Sequence, residues 1–265
     1  MFVAGGGLNG EQKNGFRDYA AVYSWMGSQQ PEFVTQLQAA TDDRAMIFPF
    51  HPNGEIMHQA DYYRRCIAAP LAGDGAPMIT TRAEAILWQQ GFWTKHSLSQ
   101  RRILLLAPGS GARAKNWPEQ FFVTVARWWR WRVDGVVILL LGPVEQERGG
   151  VNELRQHGLI ASGLSLSQVV ALLAAGDVYL GNDSGITHLA AALSVPTVAL
   201  FGPSDPRQWA PRGRQVAVVR RALDCSPCSN LTMAGCPHRA CLTALDPEKP
   251  IAIIAQWMID RASLP

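Results

Sequence analysis

The sequence lacks the long apolar run that a membrane-spanning helix needs. Such a helix takes about 20 consecutive apolar residues, whereas the run "VVILLL" at 136–141 has only the length of a strand. The opening "MFVAGGGLNGEQKNG" has no basic segment followed by an apolar one, so we expect no secretory signal peptide. We therefore expect a cytoplasmic protein.

Charged residues are also few. They make up 17% of the 265 residues, against 48% that are hydrophobic, and this balance favours a well-filled core over disorder. A formal net charge of +3 is too small for the basic surface of a nucleic-acid-binding protein, so we expect no nucleic-acid partner. It is compatible with an anionic ligand or an anionic membrane surface.

Two common nucleotide-binding signatures are missing. The G-x-x-x-x-G-K-[ST] order does not occur, which excludes a Walker loop. A G-x-G-x-x-G fingerprint is missing from the first strand–helix turn, because "GGG" at 5–7 has no strand before it. An unrelated oxidoreductase of the Rossmann type is therefore disfavoured.

The cysteines leave two alternatives open. Besides Cys66, four of them follow a C-x2-C-x7-C-x4-C pattern at Cys225, Cys228, Cys236 and Cys241. The first pair suits a zinc knuckle with His238 nearby, but the other gaps do not match common zinc spacing. A loop of reduced or occasionally paired thiols is the favoured alternative, and we expect no bound metal.

Apolar runs and turn residues alternate through residues 98–217. Strands are predicted at 101–109, 135–142, 159–163, 177–183 and 196–202, and helices at 117–132, 145–158, 165–176 and 185–194, with a terminal helix after Asp246. Strands that alternate with helices of about ten residues indicate βαβ crossovers and a parallel sheet. We predict a doubly wound, Rossmann-like α/β domain over residues 98–265.

Residues 1–97 are less regular and predict a second, smaller α/β domain. The pattern indicates a strand at 19–28, a helix at 30–40, an extended segment at 44–52, and helices at 55–71 and 81–93. The boundary is placed where the composition turns polar, at "TKHSLSQ".

The stretch "GNDSGITHLAAAL" (181–193) has the form of an anion-binding turn between a strand and a helix. Ligands of open α/β sheets bind at the carboxyl ends of the strands, and Gly185 allows the backbone to come close to a ligand. The N–H groups of residues 184–187 open the next helix and favour an anion there. An ordinary turn capped by Asp183 is the alternative, and this stretch alone does not separate the two.

Two further strand ends carry polar chemistry. "APGSGARAKNWPEQF" (107–121) is a glycine-containing loop followed by Arg113 and Lys115, both able to bind a phosphate. "LLLGPVEQER" (139–148) places Glu145 just past a strand, where its carboxylate can accept hydrogen bonds from ribose hydroxyls. A solvated first-turn glutamate is the commoner alternative, but the agreement of three strand ends favours a nucleotide diphosphate.

In this order the three stretches, with the tail "CSPC…GCPHRACLTAL", resemble glycosyltransferase family 9, the ADP-heptose:lipopolysaccharide heptosyltransferases. The resemblance covers roughly residues 103–245. It implies a GT-B fold of two Rossmann-like domains, with the donor bound mainly by the C-terminal one. It also implies an ADP-linked sugar donor, a lipid-linked glycan acceptor at the inner membrane, and no metal cofactor, in agreement with the lack of a DxD-like carboxylate pair.

The resemblance assigns roles to residues after the first strands of the C-terminal domain. Ser110, Gly111 and Lys115 would contact the phosphates, with Lys115 stabilising charge on the leaving diphosphate. Glu145 would hold the ribose, and Leu164 would pack against the base.

The turn after the later strand would complete this donor site. Asp183 would face the sugar or the phosphates and would be catalytic together with Lys115. The amides of Ser184, Gly185 and Ile186 would cradle the diphosphate, and His188 would support the site.

The N-terminal half departs from the family pattern. Family members begin with a strand and a loop of the "xGxxGD" kind whose aspartate acts as general base, and nothing similar opens this chain. We expect a shortened N-terminal domain, as a natural short form, a fragment or a start-site truncation. Asp18, His51, His58 and Asp61 are alternative bases, each more typical of a surface residue or helix cap. A non-catalytic remnant that binds nucleotide sugars is the alternative function.

The segment "VARWWRWRVDG" (125–135) combines three tryptophans with three arginines. One interpretation is a peripheral membrane anchor. The other is an ordinary helix on the sheet, in which Trp129 faces inward while Trp128 and Trp131 cover the surface beside arginine stems. The spacing favours the second.

Overall fold

The computed structural model describes residues 15–16, 18–69, 76–143, 145 and 149–262. The chain divides into two compact units, residues 1–75 and 76–265. Within the described residues, no helix has both the length and the apolar character that crossing a bilayer requires.

The N-terminal unit contains a short βαβ arrangement. Its elements are β1 (Val22–Ser24), α1 (Pro31–Ala40), β2 (Ala45–Ile47) and α2 (Gln59–Cys66). The strands are parallel, and Val22 lies opposite Ala45. Trp25 packs its ring 5.8 Å from that of Phe48 and 4.8 Å from that of Tyr63. The predicted elements are confirmed in shorter form, and the glycines at 5–7 lie outside the described residues.

The C-terminal unit is a six-stranded parallel sheet flanked by helices. Its strands are β3 (Ile103–Ala107), β4 (Val136–Leu141), β5 (Leu159–Ser162), β6 (Val178–Asn182), β7 (Thr197–Phe201) and β8 (Val216–Arg220). Its helices are α3 (Ala83–Lys95), α4 (Glu119–Trp128), α5 (Leu166–Ala174), α6 (Gly185–Ala192), α7 (Pro206–Trp209), α8 (Asn230–Gly235), α9 (Ala240–Thr243) and α10 (Glu248–Ala262).

The strand order β5-β4-β3-β6-β7-β8 makes this a doubly wound sheet. The chain builds β3, β4 and β5 in one direction, and then returns to add β6, β7 and β8 on the other side of β3. The strand order therefore reverses between β3 and β6. Crevices at such a reversal, outside the carboxyl ends of the strands, are where ligands of this architecture bind.

Successive side chains of each strand enter two separate cores. On β3, Leu104 and Leu106 join the core covered by α4 and α10, whereas Ile103 and Leu105 join the core covered by α3 and α5. Every residue of β3 is buried. Because both faces are covered, the strands are apolar runs without a polar face.

The domain boundary differs from the one expected between 97 and 98. Helix α3 packs Trp88, Phe92 and Trp93 against the core formed with β3 and α5, and so belongs to the C-terminal unit. The polar composition of the segment after α3 marks only an exposed turn.

Local sequence explains several helix ends. Ser165 accepts a hydrogen bond from the Gln168 backbone while the Gln168 side chain accepts one from the Ser165 backbone, so the predicted cap of α5 is a full capping box. Helix α4 continues into a π-helical turn, Trp129–Val133, which ends at Asp134 with a φ of 51°. Of the helix predicted at 145–158, Glu145 is helical and Leu154–His157 forms a 3-10 turn, whereas residues 146–148 lie outside the described residues.

Candidate functional site

The loops that follow β3 and β6 meet where the strand order reverses. Lys115 ends the 3-10 turn after β3, and its ammonium Nζ donates to Asp183 Oδ2 at 2.8 Å. The Asp183 side chain is 9% exposed and that of Lys115 is 30% exposed, so most of this ion pair is buried at the carboxyl edge of the sheet. Lys115 therefore lies beside this turn. Asp183 is not a helix cap, since Ser184 precedes the first residue of α6.

The turn at residues 184–187 begins α6, and the first amides of a helix have no acceptor within that helix. The first backbone hydrogen bond of the turn runs from the Thr187 amide to the Ser184 carbonyl at 3.1 Å, so the amides of Gly185 and Ile186 precede it. A methyl group at Gly185 would meet no atom within 4 Å other than those of its chain neighbours and of the backbone of its own helix. The backbone of this turn is therefore accessible, as the sequence predicts.

Hydrogen bonds between buried hydroxyl groups hold this turn in place. The Thr187 hydroxyl donates to the Asn182 carbonyl, and the Tyr179 hydroxyl lies 2.9 Å from Thr187 Oγ1. A side chain at Gly181 would collide with the Tyr179 hydroxyl at 2.2 Å, so glycine is required there. Burial raises the pKa of Tyr179 far above its usual range, partly opposed by the hydrogen bond to Thr187, so the phenol stays protonated.

Asn182 connects the two loops. Its side chain is fully buried; Nδ2 donates to the Pro108 carbonyl at 2.7 Å, and Oδ1 accepts from the Trp117 amide at 2.9 Å. One amide thereby holds both ends of the segment that carries Lys115. We did not predict this role, although an asparagine directly after a buried strand is a usable indication.

The C-terminal tail holds the same segment from the other side. The Arg239 guanidinium donates to the carbonyls of Arg113, at 3.1 Å, and Asn116, at 3.4 Å. The Trp117 indole donates to the Leu245 carbonyl at 2.9 Å. These contacts span more than a hundred residues of sequence, so local patterns could not reveal them.

The residues predicted to contact phosphate and ribose lie at the same edge. Ser110 Oγ is 2.6 Å from Asn116 Oδ1 and 2.8 Å from the Ala112 carbonyl, so it shapes its own loop. A side chain at Gly111 would meet open space. Glu145 Oε2 accepts from the Gly142 amide at 2.9 Å. Their contacts with a ligand stay predictions.

A cavity of about 360 Å³ opens beside these loops. Ser110, Asn116, Glu145 and Arg239 are among its lining residues, whereas Lys115 and the Ser184 turn are not. A side chain at Gly109 would have to displace the Glu145 carboxylate, whose nearest oxygen is 2.1 Å from the added Cβ position. The Glu145 carboxylate therefore lies against the loop that follows the neighbouring strand.

The other two predicted donor-site residues follow β5 and β6. Leu164 follows β5 and packs, half-buried, against the core between α5 and the sheet. His188 lies in the first turn of α6, and its amide donates to the Ser184 carbonyl at 3.3 Å.

The four alternative bases belong to the N-terminal unit. His58 caps α2, because its Nδ1 accepts from the Ala60 amide at 3.2 Å, and His51 Nδ1 lies 3.2 Å from Gln59 Oε1. Asp61 lies in the first turn of α2, and Asp18 is exposed. The contacts of His58 are those of a helix cap, and no general base is assigned by them.

The cysteines of the tail are free thiols. Burial raises the pKa of Cys241 and of Cys228, which keeps both thiols protonated near neutrality. His238 Nδ1 accepts from the Ala240 amide at 3.2 Å. Across the part of the chain that the structure describes, no three His, Cys, Asp or Glu side chains group as a metal site would require.

Comparison with known proteins decides the family. A family model described as glycosyltransferase family 9 (heptosyltransferase) matches residues 64–235, well over half of the chain. The chain belongs to glycosyltransferase family 9. The lipooligosaccharide heptosyltransferase 2 of Campylobacter jejuni is 32% identical over 163 residues, 57% of this chain and 49% of that protein. The lipopolysaccharide heptosyltransferase 2 of Escherichia coli K12 is 32% identical over 131 residues, 46% of this chain and 37% of that protein. This family 9 chain thus spans about half or less of the length of these relatives.

Solved structures of the family share the fold. The E. coli ADP-heptose LPS heptosyltransferase II aligns with a TM-score of 0.65 and 19% identity over 96% of this chain and 81% of that one. A family 9 glycosyltransferase from Veillonella parvula aligns with a TM-score of 0.65 and 21% identity over 82% of this chain and 64% of that one. The prediction of an α/β, GT-B-like architecture for this family 9 chain is confirmed.

Proposed function

We propose that this family 9 chain is a glycosyltransferase that transfers a heptose from ADP-heptose to a lipopolysaccharide-core or similar glycan. The curated relatives are lipooligosaccharide and lipopolysaccharide heptosyltransferases. A solved E. coli heptosyltransferase with a TM-score of 0.57 holds ADP-2-deoxy-2-fluoro heptose. These names support both the donor and the class of acceptor.

The observation that carries the proposal is the 2.8 Å contact between Lys115 and Asp183 beside the opening of α6. It brings one cation and the accessible amides of Gly185 and Ile186 to the same point of the sheet edge. A diphosphate is the ligand group that matches a cation and a helix N-terminus together. Asp183 then positions the ammonium, and Lys115 contacts the phosphate oxygens.

The order of the candidate residues along the edge supports a nucleotide. Leu164, Glu145, Lys115 and Ser184 follow β5, β4, β3 and β6, which are consecutive strands of the sheet. At about 4.8 Å between neighbouring strands, this row is about 15 Å long. The predicted roles run along it as base, ribose, and then diphosphate, which is the order of these groups in ADP.

The proposed reaction is a displacement at the anomeric carbon. An acceptor hydroxyl oxygen forms the new bond, the bond between the anomeric carbon and the diphosphate oxygen breaks, and ADP leaves with the electron pair. The hydroxyl proton passes to a base that we do not assign among the described residues. Oriented amides and the Lys115 ammonium stabilise the charge that grows on ADP, a task that a divalent cation performs in metal-dependent transferases.

Isothermal calorimetry with ADP is the first test. We expect binding by the intact chain and an affinity about 10- to 100-fold lower in Lys115→Ala, because a charge-assisted hydrogen bond contributes about 1.5–3 kcal/mol. Lys249→Ala, which changes an exposed lysine of α10, is the control and should bind normally. Lack of ADP binding by the intact chain would refute the proposal. Binding without heptose transfer in an acceptor assay would leave a nucleotide-sugar-binding protein and refute the transferase.

A further inference from the structure

A second cationic surface lies at the opposite, amino edge of the same sheet. A cavity of about 850 Å³ opens there, and we call it the amino-edge cavity. Its lining includes Arg101 before β3, Asp134 and Gly135 before β4, and His157 before β5. The strands separate this cavity from the Lys115 site by their full length, which is about 20 Å for the six residues of β4.

Arginines dominate this cavity. Four of its lining residues are arginines and one is an acid: Arg101, Arg127, Arg130, Arg132 and Asp134. Asp134 pairs with Arg101 at 3.4 Å, and its side chain is 95% exposed. The three arginines on α4 and the π-helical turn are exposed. The surface is therefore strongly positive and fits an anionic partner.

An exposed indole lies among these arginines. Trp129 is fully buried, as an ordinary helix on the sheet predicts, and Trp128 packs half-buried against the same core. Trp131 lies on the surface, where that interpretation also places it, and it is 84% exposed. A tryptophan can bury about 150–250 Å² when it enters an apolar phase.

We propose that the amino-edge cavity and Trp131 bind the surface of an anionic phospholipid bilayer. Each arginine near such a surface attracts the lipid phosphates, and an indole is favoured at the boundary between headgroups and acyl chains. A free phosphate would use the arginines but would leave the indole in water. The inference does not rest on sugar transfer, and it leaves the Lys115 edge uncovered.

Vesicle co-sedimentation tests the proposal with the complete chain. We expect partitioning onto vesicles of phosphatidylglycerol and phosphatidylcholine at low ionic strength, and little onto phosphatidylcholine alone. Trp131→Ala should lower the partition coefficient about tenfold, since the lost area is apolar. Arg130→Gln/Arg132→Gln should lower it about 25-fold, at about fivefold for each arginine.

Matched variants separate this surface from general hydrophobicity and charge. Leu231→Ala removes a side chain that is 88% exposed on α8, and Arg82→Gln/Arg214→Gln removes two exposed arginines elsewhere. Both should partition within about twofold of the parent chain, and circular dichroism checks that every variant is folded. Equal losses in test and control variants, no partitioning of the parent chain, or saturable binding of inorganic phosphate that abolishes partitioning would each overturn the proposal.

Discussion

The two edges of the C-terminal sheet both carry cations, but they hold them in different ways. At the carboxyl edge, Lys115 is paired with a carboxylate that is 9% exposed, and Arg239 donates to two backbone carbonyls. At the amino edge, Arg130 and Arg132 are exposed beside an exposed Trp131. Fixed cations suit one ligand geometry, whereas exposed ones suit a surface whose charges have no fixed arrangement.

Removing the Asn182 side chain should have the largest effect, because it should lower the stability of the chain and also abolish ADP binding at the carboxyl edge. Asn182→Ala leaves the buried Trp117 amide and the Pro108 carbonyl without partners, which should lower the free energy of unfolding by about 2–4 kcal/mol. Urea denaturation measures this loss, with the exposed Asn152→Ala as control. ADP binding should be lost while vesicle partitioning persists. Retained ADP affinity would show that the Lys115 segment needs no such support.

Adding one methyl group at the carboxyl edge should lower ADP affinity while leaving the stability of the chain almost unchanged. In Gly185→Ala, the methyl meets no atom beyond its own helix and chain neighbours within 4 Å, so stability should change by less than about 1 kcal/mol. ADP affinity should fall about tenfold, because the methyl occupies the approach to the amides. Gly91→Ala in α3 also meets no protein atom and should leave ADP affinity unchanged. Calorimetry and thermal melts report both quantities, and unchanged affinity in Gly185→Ala would place the diphosphate elsewhere.

Loosening the Lys115 segment from the tail should have the smallest effect. Arg239→Ala removes the hydrogen bonds to the carbonyls of Arg113 and Asn116, and we expect ADP affinity to fall about three- to tenfold, since each is worth about 1 kcal/mol. Arg221→Ala is matched, because Arg221 also donates to one carbonyl, that of Ala244, at 3.1 Å. Its ADP affinity should be normal in calorimetry. An equal loss in both variants would make the Arg239 effect one of global stability.

The sequence predicts the sheet well because its strands are buried on both faces. Runs such as 136–141 are typical of strands buried on both faces of a parallel sheet, and they place the following loops at one edge. That placement brings the loops of Lys115 and Asp183 to the same edge. Strand β8 escapes prediction because three of its five residues are only half-buried and no polar alternation marks it.

Long-range contacts limit what the sequence reveals of the site. Asn182 and Arg239 hold a segment that is 65 to 126 residues away in sequence, and their roles depend on the packing of the tail. Helical periodicity correctly places Trp129 in the core, but it does not tell how much of the Trp131 indole is exposed. The observed division between residues 75 and 76 differs from the predicted boundary for a similar reason, since tertiary contacts decide against which core α3 packs.

A crystal structure of the chain with ADP tests the central claim most directly. We predict that oxygens of the terminal phosphate lie within about 3 Å of Lys115 Nζ and of the Gly185 and Ile186 amides, with the ribose toward Glu145. ADP bound with its diphosphate at the amino-edge arginines, or at the carboxyl edge with Lys115 turned away from it, would contradict the account.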